Sequence, residues 1–168
     1  MLTSGRSLDV VADVVRLKAE FEARTQPATS CDSRFPNGVR LHGLTFDTTR
    51  VEPGGSLRYR HFWSCPITVE TEELVTFTHF ESGENRFQDD HIFLLHNPQK
   101  NISFQPFKEI FTEERILNVP EDLPPGSYRI RMGLIVRATG DRLKPQSKHD
   151  VDDRAVTLPL TLEVVEKP

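Results

Sequence analysis

GSYRIRMGL, residues 126–134, decides the fold class. Tyr128, Ile130, Met132 and Leu134 alternate with Arg129 and Arg131. A period of two places one set on a buried face and the other toward water, so the stretch reads as a half-buried β-strand. The same period recurs on both sides of it. Downstream, Val156, Leu158, Leu160, Leu162 and Val164 alternate with Thr157, Pro159, Thr161 and Glu163. Pro159 has no N–H for a ladder, which predicts a sheet edge or a bulge at that point. Upstream, Glu114 to Val119 reads as a strand, and Pro120 to Gly126 as the turn that follows it.

Further upstream the pattern persists. Leu57, Tyr59, His61 and Trp63 alternate with Arg58, Arg60 and Phe62, and Val75, Phe77 and His79 alternate with Thr76, Thr78 and Phe80. The first member of each set is assigned inward. A weaker strand covers roughly Arg86 to Leu95, whereas residues 96–112 show no period. Val39 and Leu41, then Leu44 and Phe46, suggest a strand whose phase slips at Gly43, a candidate bulge. Glu52-Pro53-Gly54-Gly55, Glu81-Ser82-Gly83 and Thr139-Gly140-Asp141 are turn signals, and residues 144–154 form a polar loop.

Seven or eight strands punctuated by Gly and Pro, with no helix between them, predict an all-β fold: an Ig-like or fibronectin-like antiparallel β-sandwich. Tyr128, opening its strand just after Gly126, resembles the tyrosine corner of Greek-key sandwiches and is given a structural role, and Trp63 is read as core. Before the strands, Val10, Val14, Leu17 and Phe21 make one apolar stripe, which predicts an amphipathic helix over Ser7–Arg24. The division that results is a helix and linker over 1–37 and a sandwich domain over 38–168.

Charged residues are 27% of the chain and the net charge is −4, which argues against a nucleic-acid partner. No apolar run approaches the roughly 20 residues of a membrane span, so no membrane insertion by this segment is expected, and MLTSGRSLDV lacks the apolar region of a signal peptide. Cys31 and Cys65 are too few for a disulfide framework; one bridge and two separate thiols both stay open.

Three stretches taken together resemble one family. They are GVRLHGLTFDTTRVEPGGSLRYRHFW (38–63), LVTFTHFESGENRFQDDH (74–91) and VPEDLPPGSYRIRMGLIVRATGDRL (119–143). Their order resembles the Ig-like accessory domain at the C-terminus of bacterial membrane glycosyltransferases of the mannosyltransferase type, and of related envelope proteins. The resemblance spans about residues 38–166 and departs at Leu134-Ile135-Val136 and at residues 96–112. It implies an extracytoplasmic or envelope-associated setting, a neighbouring domain or protein as partner, and no catalytic residues. A looser resemblance is to the polysaccharide-binding sandwich appended to exporter ATPases of O-antigen.

No nucleophile motif, phosphate-binding Gly loop or H-E-x-x-H occurs, so an enzyme is not expected and no cofactor is assigned. Two weaker constellations remain. Phe62, Phe80, Phe87 and Phe93 are candidate sugar-stacking aromatics of a glycan-binding module, set against burial under the helix or a neighbouring domain. His61, His79, Asp90 and His91 are candidate metal ligands of a metal-dependent hydrolase, set against hydrogen-bonded core histidines. His61, His79 and His91 are not expected to form a catalytic metal site. The acidic loop of His149, Asp150, Asp152 and Asp153 lacks the calcium-loop register and reads as solvated.

Overall fold

A computed structural model of the chain describes residues 26–66, 68–93 and 110–167, together with Arg16. Among the described residues ten strands follow in order: β1 (Thr29–Arg34), β2 (Arg40–Phe46), β3 (Arg50–Val51), β4 (Ser56–Ser64), β5 (Leu74–Ser82), β6 (Asn85–Ile92), β7 (Phe111–Asn118), β8 (Gly126–Val136), β9 (Val151–Asp152) and β10 (Ala155–Val164). One sheet has the order β1-β2-β4-β7. The other runs β3-β10-β8-β5-β6, with β9 added beside β10. The all-β sandwich is therefore present. Every pairing is antiparallel except that of the two-residue β3 with β10. The helix expected over Ser7–Arg24 lies outside the described residues, apart from Arg16.

Inward-pointing residues of the two sheets make the core. Leu57, Tyr59 and Trp63 from β4 meet Phe80, Phe87, Ile130, Met132, Leu158 and Leu162 from the facing sheet. Burying each such side chain contributes roughly 1.5–3 kcal/mol. Aromatic contacts run through this layer: Phe80 stacks on Phe87 at 4.5 Å, and Trp63 meets Phe93 edge-on at 5.0 Å. Tyr128 is buried and its hydroxyl donates to the Pro124 carbonyl at 2.7 Å, so the tyrosine corner is formed. Leu160 is only partly buried against this core, less than the strand period suggested.

Three expectations are corrected. The first is the phase of β5. Phe80 belongs to the core and Thr78 points at His61, so Leu74, Thr76, Thr78 and Phe80 face inward. Val75, Phe77 and His79 lie on the outer face, with Val75 only half-buried. The reason is local: both faces of V-T-F-T-H-F carry an aromatic ring, so period two cannot choose between them. Phe77 is buried on the outer face because it is paired across the ladder with Gly133, where a Cβ would come within 2.7 Å of its ring. The Arg142 guanidinium covers the ring, 4.6 Å from its centroid.

The second correction concerns residues 25–37, read as linker. They contain β1, whose register on β2 shifts between Ser30 and Ser33. Asp32 there takes a φ of 38°, and that irregularity hides the period. Third, β10 as a whole is not a sheet edge, although β3 pairs only with Glu163–Val164 and β9 only with Ala155–Val156, so that among the described residues Pro159 has no ladder partner on that side. β10 lies between β8 and β3, and the alternative reading of Pro159 holds: the β10–β8 register shifts between Thr157 and Thr161. The slip at Gly43 is likewise real, since the β2–β4 register shifts between Leu41 and Gly43.

Candidate functional site

Side chains of β4 meet those of β5 and β6, and side chains of β7 meet those of β6, so the inward residues of four strands converge at one side of the sandwich. There the core turns polar. β4 brings Tyr59, His61 and Trp63; β5 brings Thr78; β6 brings Asp89 and His91; β7 brings Glu113 and Arg115. All these positions are inward because each strand keeps strict alternation through them.

Asp89 accepts from Arg115 at both oxygens, Nε to Oδ2 and Nη2 to Oδ1, each at 2.8 Å. The Tyr59 hydroxyl donates to Oδ2 at 2.7 Å. Burial opposes the charge of Asp89, but Arg115, His91 and Tyr59 outweigh it and hold the carboxyl well below the usual range. Tyr59, buried beside that anion, is pushed well up.

Glu113 Oε2 is the second focus. It lies 3.3 Å from His61 Nδ1, 3.2 Å from His91 Nε2 and accepts from Trp63 Nε1 at 3.3 Å. Burial of Glu113 is likewise outweighed, by the two imidazoles, and its carboxyl is held low. The two rings are nearly parallel, 20° apart, with centroids separated by 5.8 Å. The far nitrogen of each ring has its own neighbour: Thr78 Oγ1 is 3.3 Å from His61 Nε2, and Asp89 Oδ2 is 3.5 Å from His91 Nδ1. Burial lowers the pKa of His61 despite Glu113. At His91 burial works the same way, but Asp89 and Glu113 prevail and raise it.

The structure thus brings together two of the four metal candidates, His61 and His91. His79 and Asp90 are on the outer face of the β5–β6 sheet, to whose inner face His91 belongs, and there His79 Nε2 is 3.5 Å from Asp90 Oδ1 and 3.3 Å from Arg86 Nη2. The reversed phase of β5 sends His79 away from His61. Asp89, not Asp90, is the inward carboxylate of the pair. Glu113 and Arg115 were not singled out, although their signal is in the sequence: charged residues at inward positions of a period-two strand call for buried partners.

The four aromatic candidates do not form a surface platform. Phe62, Phe80 and Phe93 are wholly buried and Phe87 nearly so, all but Phe62 within the core cluster. Among the described residues Ile116 is the large apolar side chain left exposed, at 58%. In the acidic loop, Asp152 lies 3.6 Å from Arg131 and Asp153 pairs with Arg142, so these carboxylates have cationic partners. Cys31 and Cys65 are free thiols, and burial pushes them up to about 12 and about 11. Neither is a thiolate near neutral pH.

No protein-family model matches the chain, and no curated protein matches it. Among solved structures, the crystal structure of the C-terminal domain of Wzt is similar, at 7% identity over 88% of this chain and 85% of that one, with a TM-score of 0.45.

Proposed function

We propose that the chain is a non-catalytic accessory or interaction module, Ig-like in organisation, that packs against a neighbouring domain or protein of an envelope or carbohydrate-related system. One observation carries the reading. The groups that chemistry would recruit, His61, His91, Glu113, Asp89 and Arg115, are turned inward and joined to each other between the sheets. They serve as a polar seam of the sandwich. The three sequence stretches that resemble envelope accessory domains support the setting. The test is an assay of the purified full chain against a panel of envelope polysaccharides, with both sugar release and retention on a glycan array measured. Neither is expected. Release of product would favour the hydrolase alternative.

A glycan-binding role is the second reading, and a specific feature favours it. The outer face of the β8-β5-β6 sheet presents Arg129, Arg86, Gln88 and Asp90 to solvent beside a half-buried Glu81, a polar row linked over the buried His79 and Arg131. Sugar hydroxyls would match such a row. An array signal lost in Gln88→Ala would place the ligand there.

A further inference from the structure

We propose that His61 Nδ1, His91 Nε2 and Glu113 form a binding site for one divalent ion of the zinc class, held between the two sheets. The ligand atoms that these three side chains offer all lie within 4.8 Å of one another. Atoms about 2.0–2.1 Å from a tetrahedral ion stand roughly 3.3–3.4 Å apart. The two imidazole-to-carboxylate separations here, 3.3 and 3.2 Å, match that spacing. The third pair, between the two imidazole nitrogens, lies within 4.8 Å, so the rings must close on the ion.

The alignment of the rings is the second observation. His61 is fully buried, yet neither its Nδ1 nor the Nε2 of His91 makes an aligned hydrogen bond, although the Glu113 oxygen is within reach of both. A buried polar atom left in that condition carries a desolvation cost. An ion placed between the rings and the carboxylate would give both nitrogens a partner.

The surroundings supply the third. Metal-bound histidines are ordinarily oriented by an acceptor on the other ring nitrogen. Thr78 makes that hydrogen bond to His61, and for His91 the Asp89 carboxylate stands 3.5 Å from Nδ1, near enough to orient the ring by charge though not aligned for a hydrogen bond. Trp63 Nε1 donates to the carboxylate oxygen itself. Two nitrogens and one oxygen form a borderline donor set, which suits zinc rather than the all-oxygen shells of calcium or magnesium. Three protein ligands leave a tetrahedral position for water. Because β4 and β7 belong to one sheet and β6 to the other, the ion would cross-link them.

The experiment uses the untagged full chain, stripped with a chelator and titrated with zinc chloride by calorimetry. Saturation at one ion per chain is expected, with a melting temperature that rises with zinc concentration. His91→Ala should abolish stoichiometric binding and His79→Ala should leave it intact. Should His91→Ala fail to fold, nitrogen-15 spectra of the histidine rings in the unaltered chain decide the matter: zinc should displace His61 Nδ1 and His91 Nε2. No saturable binding, or displacement confined to His42, His79, His96 or His149, would overturn the proposal.

Discussion

At the scale of single residues, Asp89 shows how a charge is tolerated inside this sandwich. Its carboxylate receives two N–H bonds from Arg115 and the hydroxyl of Tyr59. Asp89→Ala would leave a half-buried guanidinium and a buried hydroxyl without their acceptor. We expect a loss of about 2–4 kcal/mol in urea unfolding, below the fully buried limit because Arg115 keeps some contact with water. Arg115→Ala alone should also destabilise, and the double variant should cost less than the two singles added, which a double-mutant cycle measures directly. Tyr128 makes a simpler bond, one hydroxyl to the Pro124 carbonyl. Tyr128→Phe should lower stability by about 1 kcal/mol, and an unchanged unfolding midpoint would deny the bond an energetic role. The histidines of this site were visible in the sequence by their position on period-two strands. Their true partner was not, because Glu113 lies 52 residues from His61 and only the β4–β7 register places them side by side.

At the scale of elements, legibility follows regularity. β8 and β10 alternate apolar and polar side chains, and their inward residues were read correctly at Tyr128, Ile130, Met132, Leu158 and Leu162. β5 defeats the same rule because Phe77 finds a notch over Gly133 on the outer face, a cross-strand fit that no single strand reveals. β1 escapes it because its register on β2 breaks at Asp32. The pairing of β1 with β2 also explains Gly43. A Cβ at that position would lie 2.0 Å from the Thr29 carbonyl oxygen and 2.7 Å from the Pro27 ring. Backbone cannot yield as a flexible side chain does, so Gly43→Ala should push β1 off the sheet. The expected result is faster amide exchange over Thr29–Arg34 and a fall in melting temperature, with β8 exchange following only the global loss of stability. Retained protection in β1 would show that the strand tolerates the displacement.

At the scale of the whole molecule, the two sheets are joined by different forces on different sides. Aromatic and aliphatic packing fills most of the interface, while the β6–β7 side is closed by ionised groups. Acid should therefore attack the molecule from that side. In the seam the Asp89 carboxyl is held below its ordinary value of 3.8, chiefly by Arg115, and on the outer face the Glu81 carboxyl is held below 4.5 by Arg129 and Arg131, in each case against the opposing effect of burial. A carboxyl whose pKa is depressed by folding binds fewer protons in the native state than in the unfolded one. Its contribution is complete above the unfolded value and is lost as pH falls from there through the folded value. The carboxylate contribution to the stability of the zinc-free chain should accordingly begin to fall as pH drops below about 4.5 and keep falling toward pH 2, in addition to the opposed contributions at higher pH of His61, which is lowered, and His91, which is raised. The comparison that isolates the seam is Asp89→Asn. This variant should start from lower stability at pH 7 but decline less steeply in acid, since the group that must be protonated is gone. Parallel curves for the two proteins, measured as urea midpoints from pH 7 to pH 2, would show instead that the acid response arises elsewhere in the fold.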